Sequence, residues 1–166
     1  LIWRDLPVPV IAVTHGYCFG GGMQLALACD FRFSTPDCQF SIMEIKWGLI
    51  PDMSASVTLR ELLPADVAME LTMTGRTIEA SEALAINLIS RIDEQPMLAA
   101  EQLAAAIAER SPDAIRAAKT LFRSTRHGSE RRALARERRL QLGVLLGSNQ
   151  REAMKANFEK RPPLFR

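Results

Sequence analysis

The sequence predicts an α/β core followed by a helical region. An apolar run at residues 8–13 leads into a glycine-rich turn at 16–22 and then into a short apolar helix. Strand-like and helix-like segments alternate up to residue 95, as they do in α/β domains. From residue 96 onward the apolar residues recur with a helical period. We therefore predict two regions, an α/β core at 1–95 and a helical region at 96–166.

Apolar patterning and turn signals place the individual elements. Residues 10–14 have the pattern of a buried strand, residues 23–29 that of a short helix, and residues 30–34 alternate with the period of a strand. Gly75 is placed to cap the C-terminus of a helix, and Ser111-Pro112 to begin one. The remaining predictions are a strand at 39–41, helices at 53–63, 65–74 and 80–85, a strand at 88–92, and terminal helices near 129–146 and 149–159.

Composition excludes several classes of protein. The 166 residues are 48% hydrophobic, enough for a sizeable core, and carry a net charge of only +2. No run of 18 apolar residues is present, so neither a membrane span nor a membrane partner is expected. Cys18, Cys29 and Cys38 lack paired spacing and are interpreted as reduced thiols of a cytoplasmic protein. With two distant histidines, no metal site is expected.

The glycine turn is the first candidate for a functional site. A strand, a glycine turn and a helix together place unpaired N–H groups at a helix N-terminus, where they suit an anion or a developing oxyanion. The run lacks the lysine of a phosphate loop, and Leu25 stands where a dinucleotide-binding fingerprint needs its third glycine. The alternative is close packing of the helix on the strand, which glycines also permit.

The second candidate is the stretch at residues 40–52. It offers two carboxylates, Glu44 and Asp52, among apolar residues. Such surroundings favour the protonated acid and suit a carboxyl group to proton transfer. The alternatives are an ion pair between Glu44 and Lys46, and a role for Asp52 as the N-cap of the helix that follows.

Taken together, these stretches resemble the crotonase superfamily of enoyl-CoA hydratases and isomerases. The resemblance extends over essentially the whole chain and includes the motifs at 9–13, 15–17, 20–22, 29–30, 39–44, 74–76 and 158–161. It implies the C-terminal part of a crotonase-like ββα spiral core, followed by a helical trimerisation region. Members of the superfamily have a substantial portion before this first strand. Since the chain begins without Met, we expect it to be a fragment of a longer protein or the product of a late start site.

The resemblance also implies a chemistry and a set of site residues. The substrate is an acyl-CoA thioester whose oxygen becomes an enolate oxyanion, and no cofactor is expected because coenzyme A is part of that substrate. Gly21 corresponds to one oxyanion donor, and the portion before this chain supplies the other. Glu44 corresponds to a catalytic glutamate. The expected substrate contacts are Gly20, Gln24, Trp47 and Lys160.

Two positions distinguish between reactions within this superfamily. Hydratases have a glutamate where this chain has Gln24, whose amide can orient a water or the substrate but cannot take a proton. Dienoyl-CoA isomerases have an aspartate at the place of Asp52, eight residues after the glutamate. We therefore expect double-bond isomerisation by Glu44 and Asp52, with hydration of a 2-enoyl-CoA as the alternative. The structural alternative for Gln24 is a polar residue on the outer face of its helix.

A run of arginines at 131–139 is the remaining candidate for a binding surface. Most such runs are solvated helix faces, and contact with coenzyme A phosphates, a neighbouring subunit or RNA are the alternatives. A non-catalytic or RNA-binding relative is therefore the competing class. No aromatic residues accompany the arginines, so nucleic acid is not an expected partner. The resemblance implies a homotrimer or hexamer.

Overall fold

The computed structural model describes residues 2–166, which form two compact units that divide between Glu101 and Gln102. The first unit contains the strands and is the α/β part of the chain, and it extends six residues beyond the predicted boundary after residue 95. The second unit is helical. No helix among the described residues is long and apolar enough to cross a membrane.

The strands are short, at two to four residues each, and the longest helices lie in the C-terminal part of the chain. The strands are β1 (Ile11–Thr14), β2 (Tyr17–Phe19), β3 (Phe31–Ser34), β4 (Gln39–Ser41), β5 (Ile78–Glu79) and β6 (Arg91–Ile92). The helices are α1 (Ile2–Asp5), α2 (Gly20–Leu27), α3 (Ala55–Leu62), α4 (Ala65–Thr74), α5 (Ala80–Ala85), α6 (Pro96–Ala108), α7 (Pro112–Thr125), α8 (Glu130–Leu145) and α9 (Ser148–Phe158), with a 3₁₀ helix at Met43–Trp47.

Two three-stranded sheets organise the first unit. One has the order β1-β3-β6 with parallel neighbours; the other has the order β2-β4-β5, in which β2 and β4 are parallel and β4 and β5 antiparallel. Helix α2 follows β2 directly, and its Met23 and Leu27 are buried with Phe40 of β4 in the core. Burial of such apolar side chains is the main stabilising contribution to the unit. The glycine turn is thereby anchored to the core through α2.

Several element boundaries differ from the predictions. Helix α2 begins at Gly20, so the glycines form its first turn instead of preceding it. Helix α3 begins at Ala55 with Ser54 as its N-cap, and the interpretation of Asp52 as the N-cap is wrong. Strand β6 is shorter than predicted because Leu88 and Ile89 both donate their N–H groups to Ala83 O at the end of α5. Of the strand predicted at 88–92, only Arg91 and Ile92 pair with β3.

Helices α7, α8 and α9 make up most of the second unit. Helix α7 begins as predicted, with Pro112 in its first turn and Ser111 Oγ accepting a hydrogen bond from Ala114 N at 3.4 Å. The arginines of the predicted basic face lie on α8, and all but Arg136 are exposed.

A hydrogen-bonded cluster holds the last residues of the chain against α9. Glu152 Oε1 accepts from Arg161 Nη1 at 2.6 Å and from Leu164 N at 2.9 Å. Arg166 N donates to Asn149 Oδ1 at 3.0 Å, and Asn149 is buried. The hydrogen bond from Arg161, and next that from Leu164 N, lower the pKa of Glu152 to about 2.

We expect Glu152 to make the second unit sensitive to acid. The pKa of Glu152 in the folded chain lies below its ordinary value of 4.5. Its stabilising contribution is therefore complete above that ordinary value and is lost as the pH falls toward about 2. Glu152→Gln should lower the urea midpoint of unfolding at pH 6, and the difference from the unsubstituted chain should shrink as the pH approaches the folded pKa. Glu137→Gln, which changes an exposed carboxylate on α8, is the control. A difference that does not depend on pH would contradict the expectation.

Candidate active site

The N-terminus of α2 presents uncapped backbone N–H groups. Gly20, Gly21 and Gly22 form the first turn, and the N-cap residue Phe19 makes no side-chain hydrogen bond to them. The first N–H groups of a helix have no acceptor within the helix and carry partial positive charge. The N–H group of Gly21 belongs to this uncapped turn, and its role as an oxyanion donor stays a prediction.

The carboxylate of Glu44 lies beside this turn. Glu44 belongs to the 3₁₀ helix, whose C-cap Gly48 has a left-handed backbone conformation. A Cβ atom built on Gly20 would lie 3.6 Å from Glu44 Oε1, which is ordinary van der Waals contact. The structure thus brings Glu44 beside Gly20, although more than twenty residues separate the two along the chain.

Gln24 joins Glu44 to the segment before α3. Its side chain is 1% exposed, so the interpretation as a polar residue on the outer face of its helix is wrong. Its Nε2 donates to Glu44 Oε1 at 2.5 Å. Its Oε1 accepts from Met53 N at 2.8 Å and from Ala55 N at 3.3 Å. Burial of an amide is costly unless it is hydrogen-bonded, and these contacts satisfy both of its ends.

The two carboxylate oxygens of Glu44 differ in their hydrogen bonding. Within the described part of the chain, Glu44 Oε2 is buried and has no hydrogen-bond partner. Glu44 forms no ion pair with Lys46 among residues 2–166, so that alternative is wrong. A partly buried carboxylate with one held oxygen and one unpartnered oxygen is suited to take up and return a proton.

Gly75 packs closely against the 3₁₀ helix. Gly75 is the C-cap of α4, as predicted, and has the left-handed φ of 58° that favours glycine. Its carbonyl oxygen accepts a hydrogen bond from Ser41 Oγ at 2.9 Å. A Cβ atom built at this position would lie only 2.8 Å from Ile45 Cγ2 and 3.3 Å from Lys46 Cγ. The two residues that follow Glu44 can lie where they do only because position 75 has no side chain.

Other predicted site residues lie on the surface. Asp52 is exposed, and Trp47 is 77% exposed and does not pack inside the first unit. Lys160 belongs to the second unit, is exposed and has φ of 51°.

The position of Met53 was not predicted from the sequence. A Cβ atom built on Gly21 would lie 3.1 Å from Met53 Sδ, so this side chain lies against the residue that carries the candidate oxyanion donor. Met53 is 44% exposed and lies within a stretch predicted as helix, where nothing distinguished it from its apolar neighbours.

Comparison with known proteins agrees with this geometry. Residues 2–166 match the model of the family described as Enoyl-CoA hydratase/isomerase. Proteins named carnitinyl-CoA dehydratase from Citrobacter koseri and Salmonella agona are each 41% identical to the chain over 123 residues. That match covers 73% of this chain and 47% of each relative, so the chain spans about half the length of these relatives.

Solved structures match over nearly the whole chain. A structure titled as an enoyl-CoA hydratase from a Polaromonas species is 32% identical, with a TM-score of 0.91 over 99% of this chain and 65% of that one. A structure of an enoyl-CoA hydratase from Bacillus anthracis is 31% identical, with a TM-score of 0.93 over 99% of this chain and 64% of that one.

We expect Gly75→Ala to damage the site more than the fold. A left-handed backbone conformation costs a residue with a Cβ atom about 1–2 kcal/mol, and here the methyl group would also displace Ile45. Gly16→Ala is a matched control, because Gly16 has a similar φ of 61° but no atom within 4 Å of the added Cβ. Thermal unfolding should show a loss of stability in both variants. Turnover of an acyl-CoA substrate should fall only in Gly75→Ala, and an equal fall in both would contradict the supporting role.

Proposed function

The chain belongs to the enoyl-CoA hydratase/isomerase family, and we propose that it is the part of an acyl-CoA enzyme that supplies the acid/base for adding and removing water. The substrates in this proposal are a 2-enoyl-CoA and the corresponding 3-hydroxyacyl-CoA. The observation that carries it is the Glu44 carboxylate, with Oε1 bound by Gln24 and Oε2 buried and unpartnered among residues 2–166. This carboxylate lies beside the uncapped N-terminus of α2.

The proposed elimination uses Glu44 twice. Glu44 Oε2 takes the proton from C2 of the 3-hydroxyacyl-CoA, and the electron pair moves into the thioester to form an enolate. The N–H group of Gly21 donates to the enolate oxygen, and loss of one such donor typically costs roughly 10²- to 10³-fold in rate. The enolate then returns to the thioester carbonyl, and a C2–C3 double bond forms as the C3–O bond breaks. The leaving hydroxyl takes the proton from Glu44 and departs as water, and hydration is the reverse.

The names of the relatives favour water chemistry over isomerisation. The 41% identical proteins are named as dehydratases, and the two solved structures as hydratases. They support the alternative expected from the sequence better than its main expectation of double-bond isomerisation. The exposed position of Asp52 offers no support for a buried proton-transferring pair with Glu44. A role for Asp52 as a second acid/base stays a prediction.

The remaining roles are part of the same proposal. Gly20 borders the reacting carboxylate, and Trp47 and Lys160 are proposed contacts for the acyl-CoA substrate. The proposed chemistry needs no group beyond the coenzyme A of the substrate. Assembly as a homotrimer or hexamer, and a cytoplasmic location, also stay predictions.

We expect Glu44→Gln to abolish turnover and leave the fold intact. The substituted amide can still accept from Gln24 but cannot take up a proton, and loss of a positioned acid/base costs roughly 10²- to 10⁴-fold in rate. The assay uses the longest natural form of the protein and follows the conjugated thioester absorbance of a 2-enoyl-CoA. Glu101→Gln, an exposed change of the same type on α6, should retain full activity. Substantial hydration by Glu44→Gln would overturn the assignment.

A 3,5-dienoyl-CoA substrate distinguishes isomerisation from hydration. With a 3,5-dienoyl-CoA, isomerisation gives a gain in 2,4-dienoyl absorbance, whereas hydration of a 2-enoyl-CoA gives a loss. We expect a fast loss of absorbance with the 2-enoyl-CoA and little gain of absorbance with the 3,5-dienoyl-CoA. Asp52→Asn should leave the rate of hydration unchanged within about threefold, because an exposed carboxylate contributes little to a buried proton transfer. Fast gain that depends on both Asp52 and Glu44 would instead establish an isomerase.

A further inference from the structure

The neighbours of Gln24 allow its amide only one orientation. Two backbone N–H groups, those of Met53 and Ala55, point at one end of the amide from 2.8 and 3.3 Å. Since both are donors, that end must be the carbonyl oxygen. The NH₂ end therefore faces Glu44 Oε1, and this carboxylate oxygen must accept a hydrogen bond.

This orientation decides where Glu44 can hold a proton. A proton on Oε1 would oppose the N–H that already points at this oxygen, so the protonated acid carries its proton on Oε2. Oε2 is the oxygen that is buried and has no hydrogen-bond partner within residues 2–166. The oxygen that exchanges a proton is thus also the one that nothing in the described chain restrains.

We propose that Gln24 is a positioning residue that confines the exchangeable proton of Glu44 to Oε2 and keeps a second carboxylate away from it. The inference rests on the proposed function, because it takes Glu44 as the acid/base. A glutamate at position 24 would accept from the same backbone N–H groups, but its other oxygen would face Glu44. Two carboxylates at hydrogen-bond distance share one proton and titrate as a pair.

The same amide also ties Glu44 to the segment before α3. Ser54 lies between the two backbone donors and has φ of 88°, an unfavourable conformation for a residue with a side chain. The carbonyl of Gln24 holds the N–H groups on both sides of it. Met53, the first of these residues, places its sulfur against Gly21. One side chain therefore sets the position of the acid/base and of the residue that lies against Gly21.

The experiment compares Gln24→Glu and Gln24→Met in the longest natural form of the protein. The first readout is kcat/KM for a 2-enoyl-CoA as a function of pH. The second is the infrared band of a protonated carboxyl group that is absent in Glu44→Gln. Gln24→Glu should move the acid limb of the profile to higher pH by about one pH unit or more and add a second ionisation to the infrared titration. Its thermal unfolding midpoint should stay close to that of the unsubstituted protein at acid pH, because the acceptor for Met53 and Ala55 is kept, and should fall at higher pH, where the folded chain must give up the shared proton.

Gln24→Met has nearly the same shape but neither donates nor accepts. We expect kcat to fall by about 10²-fold with little change in KM, since a small misplacement of a catalytic group has that effect. Gln102→Glu, which makes the same chemical change at an exposed position on α6, should leave both the rate and the pH profile unchanged.

Each outcome decides one of the two proposals. Superimposable pH profiles for Gln24→Glu and the unsubstituted protein would overturn the positioning role, and so would an unchanged kcat in Gln24→Met. If Gln24→Met does not fold, the Gln24→Glu profile and infrared titration decide. Retained activity in Glu44→Gln, measured alongside, would overturn the proposed function itself. Loss of activity in Glu44→Gln with no effect at position 24 would overturn only the inference about Gln24.

Discussion

The hydrogen bonds of the Gln24 amide hold the candidate site together. They join α2, the 3₁₀ helix that carries Glu44, and the turn that begins α3, three segments that are separated along the chain. A buried amide is stable only when both its ends are paired, so each segment restrains the other two. The positions of the proposed acid/base and of Met53, which lies against Gly21, therefore depend on one side chain.

Close packing of backbone against side chain provides the second constraint. Gly75 lets Ile45 and Lys46 pack directly on the end of α4, and this contact holds the 3₁₀ helix against α4. Helix α2 is in turn anchored by Met23 and Leu27 in the core. The site is thus built on packed helices and short strands, and the precision that proton transfer requires comes from the core beneath it.

The family and the crotonase-like α/β fold expected from the motifs are confirmed by the match over residues 2–166 and by TM-scores of 0.91 and 0.93. The preference for isomerisation has weaker support than the alternative of hydration. That preference came from two positions, Gln24 and Asp52, each considered by residue type alone. The structure places one of them in the centre of a hydrogen-bond network and the other on the surface.

The sequence by itself determined the fold class, the family and the elements with strong local signals. Helix α4 has the predicted bounds because Pro64 and Gly75 flank it, and α7 begins at the predicted Ser111-Pro112 pair. Tertiary structure alone decided the role of Gln24, because α2 is apolar on nearly every side and its pattern does not indicate which face is buried. It also decided that Asp52 is not the N-cap of α3. The carbonyl of Gln24, distant in sequence, takes the N–H group of Ala55 at the first position of that helix, and no local pattern encodes such a contact.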